Sequence, residues 1–117
     1  MVLHIFAVEL RYAERLLGLQ VTEYSAMPTD LDGLFATAER AAQSLRQAIA
    51  DGDESYWSGT IEFSMRSSGT SKASRRKIFV HALLHGVRHW AQLAVELRKA
   101  GHATDWGHHL LFSNAVK

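Results

Sequence analysis

An all-α fold is what this sequence predicts, and three observations carry the prediction. Apolar residues recur at helical spacing through three long segments. Strand-like alternation is confined to one short stretch. The chain has 117 residues, a length that suits one compact domain spanning residues 1–117. The expectation is therefore three main helices, with a short strand or hairpin in the loop before the last of them.

In the first helix Phe6, Leu10, Ala13 and Leu17 recur at steps of three and four, while Glu9, Arg11, Glu14 and Arg15 fall mostly elsewhere. Gly18 can end it. Its start is abrupt, because Met1, Val2 and Leu3 offer no capping side chain. A second helix follows Pro28, with Thr29 as N-cap, Asp32 completing an imperfect capping box, and Asp51-Gly52-Asp53 as its close. Its expected buried stripe is Leu31, Leu34, Phe35, Ala38, Leu45 and Ile49.

The helical period disappears from Gly52 to about Ala73. Thr60-Ile61-Glu62-Phe63 alternates as a strand does, and SMRSSGTSKAS is rich in Ser and Gly, so a poorly paired strand or hairpin is expected here. Ser71 or Ser74 then caps the longest helix, SRRKIFVHALLHGVRHWAQLAVELRKAG, which stops at Gly101 after Arg98 and Lys99. Trp106, Leu110, Leu111 and Phe112 make the tail apolar enough to fold back onto the bundle.

Composition excludes several functions. Lys plus Arg is 13 and Asp plus Glu is 12, so the net charge of +1 gives neither a basic field for nucleic acid nor a charge-driven membrane anchor. With no cysteine, any metal must use His, Asp, Glu or water, and a reducing cytosol suits the chain. No apolar run approaches the roughly 20 residues that cross a bilayer, and the first residues lack the pattern of a signal peptide. A soluble, cytoplasmic protein is expected.

The longest helix holds the chemistry. His81, His85 and His89 recur every four residues, and Gln92 and Glu96 return to the same arc. Phe79, Leu83, Val87, Trp90, Ala94 and Leu97 lie opposite and are expected in the core. Spacing alone fits a solvated polar side equally well, with Lys77, Arg88 and Lys99 as its other members. Apolar residues border the stripe, however: Leu84, Ala91 and Val95 on one side, Ala82 and Leu93 on the other. His4 is a further histidine in an apolar helix. Histidines at i and i+4 can direct imidazole nitrogens to one cation, and a third from another helix leaves coordination positions open. Zinc, nickel, copper and iron all accept imidazole. None of the seven glutamates has a histidine three positions later, which disfavours di-iron bundles, and the zincin, phosphate-loop and serine-elbow patterns are missing too.

His85-x3-His89-x2-Gln92 within HALLHGVRHWAQLAVELRKAG, the turn GHATDW after it, and HIFAVELRYAERLLG near the start together resemble the DinB-like superfamily. The resemblance covers nearly the whole chain and is most specific between Lys77 and Gly101. It implies an up-down-down-up four-helix bundle in which His4, His85 and His89 bind a divalent ion (Zn, Ni or Fe), with His81 beside them. Some members of that superfamily are transferases or isomerases that use low-molecular-weight thiols. The implied function is a metal-dependent hydrolase or thiol-dependent transferase acting on a small molecule at a three-histidine site. In that reading Arg88 orients an anionic substrate, and Gln92 and Glu96 orient the ligands. The alternative is a non-catalytic, stress-related dimeric helical module without metal.

The chain departs from the family in opening where the family's second helix begins, which would account for the uncapped start. A three-helix remnant would expose an apolar groove of a kind that monomers rarely show. A homodimer is the expectation that follows.

Overall fold

The structure, a computed structural model, describes residues 1–65 and 69–103. The predicted packing of Trp106, Leu110, Leu111 and Phe112 falls outside these residues. The protein is mostly helical: α1 (Val2–Leu16), α2 (Leu31–Asp51), α3 (Glu54–Ser58) and α4 (Arg75–Lys99), with β1 (Thr60–Met65) and β2 (Gly69–Ser74) between α3 and α4. The all-α reading is correct. One element was not legible in the sequence, the five-residue α3, whose N-cap Asp53 accepts from the Tyr56 N–H at 2.8 Å.

Local chemistry explains the boundaries. Helix α1 starts at Val2 without a side-chain cap and gives way at Gly18, which takes φ +69°, a value that suits glycine. The N-cap of α2 is Asp30 rather than Thr29: its carboxylate accepts from the Gly33 N–H at 2.9 Å. Ser74 caps α4, accepting from the Lys77 N–H at 3.1 Å, while Ser71 lies within β2. The hairpin is a regular antiparallel ladder running from Thr60 opposite Ser74 to Met65 opposite Gly69, better paired than its Ser-rich sequence suggests.

Helix α1 is the central element. It packs along both α2 and α4, whereas α2 and α4 scarcely touch each other. Two apolar clusters hold it in place. Ala7 and Leu10 meet Met27 and Ala41, and Ile5 and Phe6 meet Leu34, with Trp90 of α4 against the second group. Gly86 lets α4 come close, since a Cβ there would stand 2.7 Å from the Glu9 carboxylate. Glu14 is also buried, and satisfied: it accepts from the Thr22 N–H at 2.7 Å and the Thr22 hydroxyl at 2.6 Å. Far along the chain, the Tyr56 hydroxyl donates to the Leu16 carbonyl at 2.5 Å, tying α3 to the end of α1.

The expected core needs correction on both outer helices. Leu31, Phe35 and Ile49 of α2, and Leu83 and Val87 of α4, are exposed. Ala94 is buried as expected, and Ile78, Ala82 and Gly86 are buried in place of Leu83 and Val87. The reason is geometric. Because α1 lies between its neighbours, each outer helix buries one narrow stripe against it and turns a second apolar stripe outward. Those second stripes flank a groove between α2 and α4, lined by Ala42, Leu45, Leu83 and Val87, with Glu9 among its lining residues.

Glu14→Ala should leave Thr22 without its partner and destabilise the fold by about 1–3 kcal/mol, read as a lower urea midpoint at unchanged slope. A midpoint equal to that of the native protein would show that the Glu14–Thr22 pairing contributes nothing.

Candidate metal centre

Two elements supply the three histidines. Helix α1 contributes His4 from its first turn, and α4 contributes His85 and His89 from successive turns of one face. The α1–α4 packing sets the three rings around one point. Ring centroids are 5.1 Å apart for His4 and His85, 4.9 Å for His4 and His89, and 4.3 Å for His85 and His89. One ring nitrogen from each residue lies within 4.8 Å of the other two. Three residues chosen on resemblance, one of them 81 positions from the next, are thus neighbours in space.

The surroundings favour neutral rings. Burial pushes His85 from its ordinary 6.5 down to about 4, assisted by the charges of His89, His4, His81 and Arg88. Burial likewise lowers His4, with His89 and the chain's amino terminus adding to the effect. His85 Nδ1 is buried and has no hydrogen-bond partner among the described residues, a polar atom without the partner that such atoms ordinarily have. His89 Nδ1 stands 2.7 Å from Gln92 Oε1. An amide oxygen can only accept, so the proton sits on Nδ1 and the Nε2 lone pair is free.

The other residues singled out in the sequence separate clearly. His81 stands one turn away, 6.2 Å from the His85 ring and edge-on to Tyr12 at 5.4 Å. It is not part of the close set. Gln92 has the orienting contact expected of it. Glu96 does not: its carboxylate pairs with Lys99 at 3.0 Å, on the exposed side of α4. Arg88 is exposed, and its charge is one of those acting on His85.

The sequence model of the DinB family matches residues 1–115. The chain belongs to the DinB family. Neither the curated proteins nor the solved structures yield a match. Family membership agrees with the helical fold and with a histidine group suited to metal binding. The fit can be tested on this chain's own atoms: three imidazoles from two helices, two of them held toward the neutral form by burial, and a buried His85 nitrogen without a hydrogen-bond partner among the described residues suit a borderline divalent ion.

Two residues near the site gave no signal that the sequence reading used. Glu9 reads as a polar position of α1, yet it lies against Gly86 beneath the groove, where burial raises its pKa. Lys77 reads as part of the solvated side of α4. It stands four residues before His81, one more step of the same stripe, and that interval was the available sign.

Because the folded protein holds His85 and His4 below their unfolded pKa values, protonating them disfavours the native state. The His85 contribution is complete above about pH 6.5 and is lost as the pH falls through that value toward about 4, and His4 acts in the same sense. Glu9 acts in the opposite sense, so a difference between proteins is the useful quantity. In metal-free protein, His85→Asn should lose less stability than the native chain between pH 7.5 and 5.5, measured as urea midpoints. Parallel curves would remove the claim that the fold holds His85 neutral.

Proposed function

We propose that this DinB-family protein binds a divalent cation through His4, His85 and His89 and uses it to activate a water or a low-molecular-weight thiol against a small-molecule substrate. The observation that carries this reading is the convergence of one nitrogen from each ring to within 4.8 Å. Bonds of about 2.0–2.1 Å in a tetrahedral shell set ligand nitrogens about 3.4 Å apart, so binding an ion would draw the rings closer than their present limit of 4.8 Å.

The chain's own groups divide the work. Imidazole ligands carry no negative charge, so His4, His85 and His89 would leave the ion's charge uncompensated. Gln92 holds His89 in the tautomer that exposes Nε2. The three protein ligands leave positions open for an exogenous molecule, and a divalent ion in such a site lowers the pKa of what it coordinates and polarises a substrate oxygen. Zinc, nickel and iron all suit this donor set.

Metal content of the purified protein is the direct test. Near-equimolar metal is expected, with His85→Ala and His89→Ala each reducing affinity at least tenfold. Gln92→Ala should weaken binding by roughly 10-fold through loss of ligand orientation. Negligible metal, indifferent to all three changes, would leave the metal-free helical module as the better reading. Where metal is present, transfer of thiols to small electrophiles, or hydrolysis, distinguishes the two chemistries.

A second copy of the chain is the proposed cover for the α2–α4 groove. Leu31 to Ile49 spans about 27 Å and Val80 to Val95 about 22 Å of helix, enough to seat one amphipathic helix. The exposed stripe Leu31, Phe35 and Ile49 is a surface of that kind that the chain itself supplies. Light scattering should give twice the chain mass, and Leu83→Glu with Val87→Glu should halve it while the helical circular dichroism persists. A stable monomer of the native chain would refute the dimer and leave the metal site unaffected.

A further inference from the structure

A second cavity lies at the other end of the histidine stripe, between the hairpin and the helices. It measures about 270 Å³ and is lined by Tyr12, Phe63, Ala73, Lys77, Ile78 and His81, together with Ser71 and Lys72. Its walls are the Tyr12 and Phe63 rings, over which the Arg15 guanidinium stands at 5.6 and 5.7 Å. Buried Ile78 adds apolar surface. Among the described residues no carboxylate lines the cavity and the Lys77 ammonium has no ion-pair partner.

The position of this cavity gives it meaning. Lys77, His81, His85 and His89 succeed one another every four residues on α4, so they form a slowly winding stripe in which His81 lies between Lys77 and His85. Lys77 to His85 is eight residues, about 12 Å along the helix. A molecule with an apolar body between Phe63 and Tyr12 and an anionic end at Lys77 would point its other end past His81 toward His85. His81, edge-on to Tyr12 and 6.2 Å from His85, stands on that line.

We infer that this cavity is the substrate pocket, and that its ligand is a small aromatic or unsaturated carboxylate whose anionic end is held by Lys77 while its reactive end faces the histidine cluster. The substrate role rests on the metal-centre reading, whereas binding of the carboxylate does not.

Cinnamate is a suitable probe and cinnamamide its uncharged control, each titrated into isotope-labelled, metal-free protein and followed by NMR. Cinnamate should shift the amides of Phe63, Ala73 and Ile78 and the His81 ring. Lys77→Gln should weaken cinnamate about tenfold, the effect of losing one charge-assisted contact, and leave cinnamamide binding unchanged. Equal affinity for acid and amide, indifference to Lys77→Gln, or shifts confined to Ala42, Leu45 and Leu83 would overturn the inference. Zinc titration of the same samples separates the two readings. If zinc binds Lys77→Gln normally and cinnamate fails on the native protein, the pocket is wrong and the centre stands. If cinnamate behaves as described and zinc does not bind, the carboxylate site stands and the metal centre falls.

Discussion

The packing of α1 between α2 and α4 is the constraint on which everything else in this protein depends. Ile5, Leu10 and Leu16 are almost wholly removed from solvent. At about 1.5–3 kcal/mol for each large side chain fully buried, the contacts of α1 with both neighbours are the main source of cohesion among the long helices. Since α2 and α4 hardly meet, withdrawing α1 would leave them without a shared core. The same packing carries His4 to α4 and leaves a groove on the side that α1 does not reach.

Within the centre, burial and orientation act together. Desolvation disfavours the imidazolium form of His85 and His4. Gln92 settles which nitrogen of His89 carries its proton. His85 combines a pKa lowered by burial with an Nδ1 that has no hydrogen-bond partner among the described residues.

The hairpin and α3 complete the surroundings of α4. Tyr56 reaches back to α1 through the Leu16 carbonyl, Trp57 lies edge-on to Phe79 at 5.3 Å, and Arg75 stands 4.8 Å over the Tyr56 ring. These contacts fix the start of α4, and with it Lys77 and the cavity under the hairpin. A segment rich in Ser and Gly therefore acts as a wall. Its ladder stays regular because β1 and β2 can pair residue for residue without a bulge.

The sequence by itself determined the long helices, most of their ends and the residues able to ligate a metal, because these rest on short-range physics: periodicity, capping oxygens, glycine at positive φ, and imidazoles four residues apart. It also named His4, although only through resemblance. Asp30 rather than the expected Thr29 caps α2: either side chain can accept from a free N–H, and the choice turns on where the chain bends. Tertiary structure alone decided which apolar stripe of each outer helix is buried. Phe35 and Leu83 belong to faces as apolar as those of Leu34 and Ala82, yet one pair is exposed and the other buried. Periodicity reports that a face is apolar; only the position of the neighbouring helix determines whether that face is covered, and the same long-range placement brings His4 to His85 and His81 to Tyr12.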